Sequence, residues 1–332
     1  MTKVLITGGT GSLGRALCAR ILQDPRTRVF IYSRDEGKHA IYYANNPRVN
    51  CIVGDVRDER KFRETIEFVE PNVVYHAAAL KRIDACEQHP DECVKTNVLG
   101  SEIVARACFD SNVRNCILVS TDKACRAVNA YGSSKLMAEK IFVSVAQRAS
   151  SSGKGRFCCV RYGNVIASRG SFLPLWLQRA LKNEVIPVTD KRCTRFLFTL
   201  NDAVELLFRV FNNAENGEIV VPKMAAASME EIIALIPTLD PKLKDHTPTL
   251  SEIGIRAGEK LHEDLVADTE IPLAYDMPSG DIALRPTWCR LSMRERTSYT
   301  EGSVCSANAR KLEQGELREL LVRGLREANE TS

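Results

Sequence analysis

The sequence predicts an α/β protein built on a doubly wound parallel β-sheet. In the first half of its 332 residues, short apolar or β-branched runs alternate with stretches of helical periodicity. Such alternation is typical of βαβ units, in which a parallel sheet is buried on both faces. A glycine-rich turn directly after the first apolar run supports the same fold class, and the length leaves room for a second, smaller part.

The predicted elements follow a regular order up to about residue 163 and become irregular afterwards. Strands are expected over residues 4–7, 29–33, 50–53, 73–76, 115–120 and 156–162. Helices are expected over residues 12–23, 57–69, 91–110, 131–149, 172–182, 201–211, 229–235 and 312–328. Residues 237–248 contain three prolines, so we expect a loop there.

Composition and charge exclude several classes of protein. Lys and Arg exceed Asp and Glu by only four (46 against 42), which disfavours a nucleic-acid partner. No apolar run approaches the ~20 residues of a membrane span, and the first residues predict a strand rather than a signal peptide. The twelve cysteines are scattered without a C-x-x-C motif. We therefore expect reduced, buried thiols in a cytoplasmic protein, with neither a metal site nor a membrane partner.

The glycine-rich turn is the sequence TGGTGSLG, residues 7–14. Gly8, Gly11 and Gly14 permit a tight turn, close approach of a diphosphate and close helix–strand packing, and the following helix supplies N–H donors. Within a βαβ series this turn predicts a dinucleotide site of the Rossmann type. Residues 1–165 are therefore expected to form the dinucleotide-binding domain, with some later segments returning to it. Residues 166–332 are expected to form mainly a smaller α/β substrate domain.

The end of the second predicted strand bears on the choice of dinucleotide. Proteins that prefer NAD usually carry an acidic residue there, about 20 residues beyond the glycines. Here the position holds Ser33 and Arg34, whose guanidinium suits a 2′-phosphate, and Lys38 is a second cation nearby. We therefore expect NADP over NAD, with Asp35 as the residue that favours NAD if it turns inward.

Two groups of residues indicate the chemistry. Tyr131 and Lys135 are four residues apart and share one face of a helix, where an ammonium group favours the phenolate that deprotonates an alcohol. Thr121, Asp122 and Lys123 follow the fifth predicted strand, at the sheet edge where doubly wound proteins bind ligands. Thr121 can hydrogen-bond the reacting alcohol, and an acid and a potential base occupy the next two positions.

With these motifs in place, the chain resembles the extended short-chain dehydrogenase/reductases. More narrowly, it resembles the soluble UDP-N-acetylglucosamine 4,6-dehydratases, including those that invert carbon 5. The matching segments are TGGTGSLG (7–14), SRDEGK (33–38), GDVRD (54–58), HAAALK (76–81), TNVLG (96–100), STDKA (120–124), NAYGSSK (129–135), RYGNVIASRGS (161–171), TRF (194–196) and RAGEKLHE (256–263). The sequence departs from the family at residues 125–128 and at Ala257, where proline is common.

The resemblance implies a reaction that uses bound NADP. Tyr131 takes the proton of the 4-hydroxyl while hydride leaves carbon 4, Thr121 hydrogen-bonds the 4-oxygen, and Lys135 lowers the pKa of Tyr131. Lys123 is the expected base at carbon 5 and Asp122 the expected acid at the 6-hydroxyl, with the two roles open to exchange. Hydride returns to carbon 6 and leaves a UDP 2-acetamido-2,6-dideoxy-4-ketohexose. To act as the base at carbon 5, Lys123 needs a lowered pKa, and the positive charges of Lys135 and the nicotinamide are the expected causes.

The resemblance also implies contact residues and a homo-oligomer built through helices such as 91–110 and 131–149. The implied cofactor contacts are Gly8, Thr10, Gly11, Ser12, Leu13, Gly14, Ser33, Arg34, Lys38, Asp55, Val56, Ala77, Ala78, Ala79, Lys81, Asn97, Tyr131 and Lys135. The implied contacts to the UDP-sugar are Lys81, Asn164, Arg169, Ser171, Pro187, Val188, Thr189, Arg195, Arg256 and Glu259.

Two rival functions share the same scaffold. A UDP-sugar 4-epimerase needs Tyr131, Lys135 and Thr121 but no acid–base pair for carbons 5 and 6, so the adjacent Asp122 and Lys123 favour the dehydratase. A non-catalytic NADP-binding regulator predicts loss of the tyrosine–lysine pair, and both residues are present. The sequence leaves open whether carbon 5 is inverted and whether UDP-N-acetylglucosamine or UDP-glucose is the substrate.

Overall fold

The structure is a computed structural model that describes residues 1–244, 247–289 and 298–330. Its strands are β1 (Thr2–Thr7), β2 (Thr27–Ser33), β3 (Val49–Val53), β4 (Val73–His76), β5 (Asn115–Val119), β6 (Arg156–Val160), β7 (Asn164–Val165), β8 (Ile186–Val188), β9 (Thr194–Phe198), β10 (Ile219–Val221), β11 (Ala226–Ser228), β12 (Leu250–Glu252), β13 (Asp264–Val266), β14 (Ala274–Asp276), β15 (Ile282–Leu284) and β16 (Val304–Cys305).

The α-helices are α1 (Ser12–Ile21), α2 (Glu36–Tyr43), α3 (Glu59–Val69), α4 (Ile83–Gln88), α5 (Pro90–Cys93), α6 (Gly100–Asp110), α7 (Ala130–Ser152), α8 (Phe172–Leu181), α9 (Leu200–Asn213), α10 (Met229–Leu239) and α11 (Gln314–Glu330). A π-helical turn, Val94–Leu99, joins α5 to α6. Short 3₁₀ turns are Asp122–Ala124, Pro241–Leu243 and Asp268–Leu273.

A mainly parallel sheet of nine strands confirms the predicted fold class. Its order is β14-β15-β10-β6-β5-β4-β1-β2-β3, and all pairs except those of β15 with β10 and β14 are parallel. Because β1 pairs with β2 on one side and β4 on the other, the strand order reverses next to β1. Ligands bind outside the carboxyl ends of the strands at such a reversal. The strands β10, β14 and β15 follow residue 165 in the chain yet extend this sheet.

The apolar core has two parts. The first fills both faces of the central sheet and includes the fully buried Leu5, Ile31 and Val74. The second lies among α8, α10 and α11, and its buried members include Leu173, Ile186, Ile232, Ile236 and Leu321. Three small sheets, β11-β9-β7, β12-β8 and β13-β16, complete the C-terminal part. Among the helices of the described ranges, none has both the length and the apolar character needed to cross a membrane.

The structure corrects several predicted elements. The single helix expected over residues 91–110 is α5, a π-helical turn and α6, because the turn directs the Asn97 side chain inward. There Asn97 accepts a hydrogen bond from the Leu80 N–H and donates to the Leu80 carbonyl and to Ser134 Oγ. The loop expected over residues 237–248 is wrong at its start, where α10 continues to Leu239 through Pro237. Residues 245 and 246 of that range lie outside the described residues.

A buried guanidinium joins three distant segments. Arg161, directly after β6, is fully buried. It donates to Glu139 on α7 at 2.7 and 3.1 Å, and to Glu270 in the 3₁₀ turn at 2.9 and 3.0 Å. Glu139 also accepts from Ser120 Oγ at 2.6 Å, so the carboxylate is held by both the end of β5 and the end of β6. This network fixes α7 against the carboxyl edge of the sheet.

We expect Arg161→Met to destabilise the fold by about 3–5 kcal/mol, because the buried carboxylate of Glu139 then loses the cation that it contacts directly. Urea unfolding followed by circular dichroism measures the free energy of unfolding. Arg60→Met is the matched control, since Arg60 pairs with Glu64 on the exposed surface of α3 and the change should leave stability nearly unaltered. Equal stability of the two variants would contradict a structural role for the network.

Candidate active site

A glycine cradle lies between the end of β1 and the start of α1. A Cβ atom on Gly8 would lie 2.8 Å from the Ala78 backbone, and one on Gly14 would lie 2.5 Å from Gly9 Cα. Gly8 also has a φ of +69°, which favours glycine. The first turn of α1 contains no acidic residue, and its N-cap residue is Gly11, so no capping side chain occupies the end of the helix. The cradle and the free N–H groups of Ser12 and its neighbours therefore fit the diphosphate of a dinucleotide.

Polar groups line the edge of the sheet beyond the cradle. Thr10 Oγ1 donates to Ser33 Oγ at 3.3 Å, and Ser33 Oγ lies 2.6 Å from His39 Nε2. Arg34 is exposed, with one guanidinium nitrogen 3.8 Å from Asp55 Oδ2. The carboxylate of Asp35 caps α2 by accepting from the Lys38 N–H and pairs with the Lys38 ammonium. Asp35 is thus engaged at a helix end, while the Arg34 guanidinium faces solvent beside the adenosine side of the cradle.

The opposite wall consists of the segment after β4. The Ala77 N–H donates to the Thr7 carbonyl and the Ala78 N–H to Thr7 Oγ1, so this segment is fixed to the end of β1. Ala79 is half-buried on the same segment, and Lys81 is exposed at its end. Val56, which is buried, packs against Gly100 at the start of α6.

The first turn of α7 packs directly on the 3₁₀ turn that holds Asp122 and Lys123. A Cβ on Gly132 would lie 2.2 Å from the Lys123 carbonyl oxygen, so only glycine allows this approach. Asn129 caps α7 by accepting from the Gly132 N–H, and it donates to the Gly258 carbonyl at 2.6 Å. The contact links the start of α7 to segment 256–263. None of these interactions was predicted from the sequence.

The Thr121 hydroxyl lies close enough to the Tyr131 hydroxyl to affect its pKa. Burial raises the pKa of Tyr131, the nearby Asp122 carboxylate adds to the rise, and the Thr121 hydroxyl opposes it. The phenol therefore stays protonated in the ligand-free protein. A phenolate in this position needs positive charge beside it.

Lys135 lies one helical turn beyond Tyr131 and is only 3% exposed. Burial lowers its pKa to about 8, and the carboxylate of Glu139, a further turn along α7, acts in the opposite direction. Behind it, His76 is fully buried between Thr7 Oγ1 (2.7 Å) and Ser101 Oγ (3.0 Å). Burial and the charge of Lys135 lower the pKa of His76 to about 3. The histidine is therefore neutral at physiological pH, and its ring orders the hydroxyls around it.

Asp122 and Lys123 form a buried ion pair. Lys123 Nζ lies 2.8 Å from Asp122 Oδ1 and 2.9 Å from Oδ2, and Asp122 Oδ1 also accepts from Thr121 Oγ1 at 2.8 Å. Two further acceptors face the same Nζ, namely Asn164 Oδ1 at 3.2 Å and Glu263 Oε1 at 3.4 Å. The ammonium group thus has an acceptor for each of its protons.

The expected lowering of the Lys123 pKa is wrong for the ligand-free protein. Burial acts to lower this pKa, but the carboxylates of Asp122 and Glu263 outweigh it and raise the pKa above its ordinary value. Arg195 is a cation that opposes the two carboxylates. Lys123 is therefore an ammonium until its proton moves to a neighbouring group.

The residues implied for the UDP-sugar fall into separate groups. Arg195 is buried and donates to Glu259 Oε1 at 3.1 Å, and Thr189 Oγ1 donates to the same oxygen at 3.4 Å. Arg256 is exposed nearby. Pro187 and Val188 belong to β8, which pairs with β12 at one side of this group.

Arg169 and Ser171 are arranged differently. The Arg169 N–H donates to Ser12 Oγ and its guanidinium to Tyr42 Oη, so this residue lies beside the glycine cradle. Ser171 Oγ is buried and has no hydrogen-bond partner among the described residues. The loop therefore borders the diphosphate side of the cradle. Within the same ranges there is no cluster of three or more His, Cys, Asp or Glu suited to a metal ion.

The low pKa of Lys135 predicts a change in stability with pH. The unfolded lysine, with the ordinary value of 10.5, binds more protons than the folded one between about pH 8 and pH 10.5. Folding therefore carries a penalty that is full below about pH 8 and fades toward pH 10.5. We expect the free energy of unfolding of Lys135→Met, measured with urea, to exceed that of the parent near pH 7 by about 3 kcal/mol at most. This difference should shrink toward about pH 10.

The control for this prediction is Lys140→Met, which replaces an exposed lysine on the same helix. Its stability should follow that of the parent protein at each pH. A stability difference for Lys135→Met that does not depend on pH would mean that Lys135 is not a buried, strained ammonium.

Comparison with known proteins identifies relatives of the whole arrangement. A family described as polysaccharide biosynthesis protein matches residues 4–283. The UDP-N-acetylglucosamine 4,6-dehydratase (inverting) of Campylobacter jejuni subsp. jejuni serotype O:2 is 39% identical over 278 residues, which cover 82% of this chain and 80% of that protein. The UDP-glucose 4-epimerase of Rickettsia massiliae is 38% identical over 280 residues, with the same coverage of both chains.

Solved structures share the fold. The X-ray structure of Pen from Bacillus thuringiensis has a TM-score of 0.88 and 28% identity, and the match covers 97% of each chain. The dTDP-glucose 4,6-dehydratase DesIV from Streptomyces venezuelae has a TM-score of 0.68 at 18% identity over 78% of this chain and 87% of its own, which is a likeness of fold alone. The family match and the identity to the Campylobacter enzyme show that this chain belongs to the polysaccharide biosynthesis protein family, the family of the UDP-N-acetylglucosamine 4,6-dehydratases.

Proposed function

We propose that this protein is an NADP-dependent UDP-N-acetylglucosamine 4,6-dehydratase. The observation that carries the proposal is the buried Asp122–Lys123 ion pair beside the hydroxyls of Thr121 and Tyr131. Oxidation at carbon 4 uses Thr121, Tyr131 and Lys135, while loss of water from carbons 5 and 6 needs an acid and a base in addition. Both sets of groups lie at one point of the carboxyl edge of the sheet.

The first step uses the tyrosine and its neighbours. A dinucleotide held in the glycine cradle would supply the chemistry of accepting a hydride from carbon 4 and returning it to carbon 6. Tyr131 takes the proton from the 4-hydroxyl, and Thr121 holds the 4-oxygen through its own hydroxyl. The ammonium of Lys135 favours the phenolate that Tyr131 needs, which offsets the rise in its pKa on burial. Glu139 helps to keep Lys135 charged.

The second step uses the ion pair. Lys123 Nζ and Asp122 Oδ1 are 2.8 Å apart. Transfer of one proton along this hydrogen bond creates a free amine and a carboxylic acid, and burial favours this neutral pair. Lys123 then takes the proton of carbon 5, which the 4-ketone acidifies, and Asp122 protonates the 6-hydroxyl as it leaves as water. After hydride reaches carbon 6, the ammonium of Lys123 returns a proton to carbon 5. The 4-ketone remains, so the net change in the sugar is the loss of one water. The proton that Tyr131 took from the 4-hydroxyl balances the one that Asp122 gave to that water, and exchange with solvent returns both groups to their starting states.

Cofactor choice is a further part of the proposal. NADP is preferred because Arg34 is an exposed guanidinium whose ion pair with Asp55 is long, at 3.8 Å, although fold neighbours such as DesIV were solved with NAD. Residues 1–165 hold mainly the cofactor, and residues 166–332 hold mainly the UDP-sugar. The name of the Campylobacter relative supports inversion at carbon 5.

We further propose a cytoplasmic homo-oligomer. Exposed apolar side chains on the π-helical turn and α7, such as Val94, Leu99 and Met137, support association through these helices. The twelve cysteines are all unpaired, which is compatible with a reducing compartment.

A 4-epimerase is the second candidate, because a Rickettsia relative of similar identity carries that name. Epimerisation uses Tyr131, Thr121 and Lys135 and leaves carbons 5 and 6 unchanged. It therefore gives no role to a buried acid–base pair, which favours the dehydratase.

Turnover in heavy water separates the two candidates. With UDP-N-acetylglucosamine and catalytic NADP⁺, we expect a product that has lost one water, carries a 4-ketone and contains deuterium at carbon 5. Mass spectrometry and proton NMR detect all three changes, and the ring couplings give the configuration at carbon 5. Lys123→Met should abolish the loss of water. An unchanged mass with appearance of the galacto isomer would identify an epimerase and overturn the proposal.

Cofactor choice is tested at Arg34. Because a charge-assisted hydrogen bond to phosphate contributes about 1.5–3 kcal/mol, Arg34→Ala should weaken NADP binding by roughly 10–100-fold and leave NAD binding unchanged. Dissociation constants from calorimetry measure both. Arg28→Ala, at an exposed position on β2, the strand that precedes Arg34, is the control and should change neither constant. Equal weakening of NADP and NAD by Arg34→Ala would remove the basis for an NADP preference.

A further inference from the structure

Glu263 is the last residue of segment 256–263. Its side chain is only 3% exposed, and Oε1 lies 3.4 Å from Lys123 Nζ. The other carboxylate oxygen, Oε2, is buried and has no hydrogen-bond partner among the described residues. A buried carboxylate of this kind is costly unless a charge nearby stabilises it.

The backbone of Glu263 is fixed independently of its side chain. Its N–H donates to Ser306 Oγ at 2.8 Å, and its carbonyl accepts from the Ser306 N–H at 2.8 Å. Ser306 Oγ is also 2.6 Å from Thr194 Oγ1 at the start of β9. The next residue, Asp264, begins β13, which pairs with β16. The carboxylate therefore projects toward Lys123 from a rigid junction of three strands.

The charged groups that face Glu263 and Lys123 come from three segments. Asp122 contacts Lys123 within the 3₁₀ turn, and Arg195 Nε on β9 lies 3.9 Å from Glu263 Oε1. Arg195 is itself engaged by Glu259 at 3.1 Å. Asp122 must release its negative charge when it accepts the proton of Lys123, so Glu263 is then the carboxylate left to face the amine.

We propose that Glu263 is a positioning residue for the elimination step, which orients Lys123 Nζ and stabilises the ammonium that forms when Lys123 takes the proton of carbon 5. This inference rests on the proposed dehydratase function and deepens it. A fixed carboxylate aimed at a charge that develops in the transition state favours that state without reorganisation. The same carboxylate makes Lys123 a stronger base than burial alone would allow, because burial disfavours its charged form.

The test compares Glu263→Gln with the parent enzyme in two measurements. The first is the pH profile of kcat for loss of water. The fall of kcat toward low pH, the acid limb of this profile, reports the protonation of the base, Lys123. We expect this limb to move to lower pH by about 1 unit or more, because an opposite charge within about 4–6 Å is removed. We also expect kcat to fall at least ~10-fold while KM stays within a few-fold, since the interaction acts on the transition state.

The second measurement needs no turnover. NMR titration of lysine Cε resonances, with the Lys123 signal assigned by its absence in Lys123→Met, reports the Lys123 pKa directly. We expect a lower pKa in Glu263→Gln and a partial return in Glu263→Asp, which keeps the charge on a shorter side chain. Circular dichroism and NADP binding establish that each variant is folded.

Glu259→Gln is the matched control, because this carboxylate lies on the same segment and contacts Arg195 rather than Lys123. It should raise KM without moving the acid limb or the Lys123 titration. A Glu263→Gln variant that loses activity with both the limb and the titration unmoved would overturn the proposal and leave Glu263 a structural role. Absence of dehydration by the parent enzyme, with the Lys123 titration shifted as expected, would instead overturn the proposed function and with it the catalytic part of this inference.

Discussion

The fully buried guanidinium of Arg161 is the interaction on which the arrangement of the site depends. A charge without solvent is tolerated only when its partners are in place, and those partners, Glu139 and Glu270, come from α7 and from a turn late in the chain. The sheet edge, the helix and the C-terminal turn must therefore assemble together. Because Tyr131 and Lys135 lie on the same helix as Glu139, their approach to the sheet is set by an ion pair that takes no part in the chemistry.

Two lysines of the site show how environment divides one residue type into two roles. Lys135 is buried, with the carboxylate of Glu139 one turn away along α7, and its pKa is lowered to about 8. The Lys123 side chain is 13% exposed, but Asp122 and Glu263 face its ammonium and its pKa is raised. In the proposed reaction, Lys135 acts as a fixed charge beside a phenol and Lys123 as a proton carrier between acceptors. Distances of about 3 Å to carboxylates account for the difference.

The parts of this site that could be predicted from sequence are those encoded by local spacing. The glycine cradle follows a strand directly, and Tyr131 and Lys135 are four residues apart on one helix, so periodicity was sufficient. The π-helical turn that directs Asn97 inward has the same apolar pattern as an α-helix, and it was missed for that reason. Glu263 stood inside a recognised motif, but it contacts Lys123 from 140 positions along the chain (263 − 123), and such a contact has no local signal. The role of Asp35 as the N-cap of α2 was missed as well, because periodicity did not indicate that helix.

The five groups proposed to act on the sugar lie within a single stretch of chain, from Thr121 to Lys135, on a 3₁₀ turn and the first turns of one helix. Groups such as Arg195, Thr189 and Glu259, by contrast, come from separate strands and loops far along the chain. With the roles proposed above, the second set holds the nucleotide sugar and the first set carries out the oxidation. Substitutions in the second set can then alter which nucleotide sugar is accepted, while the short turn that holds Asp122 and Lys123 is one place where an elimination can be gained or lost. Relatives named as dehydratases and as epimerases, at nearly the same distance from this chain, fit that route of divergence.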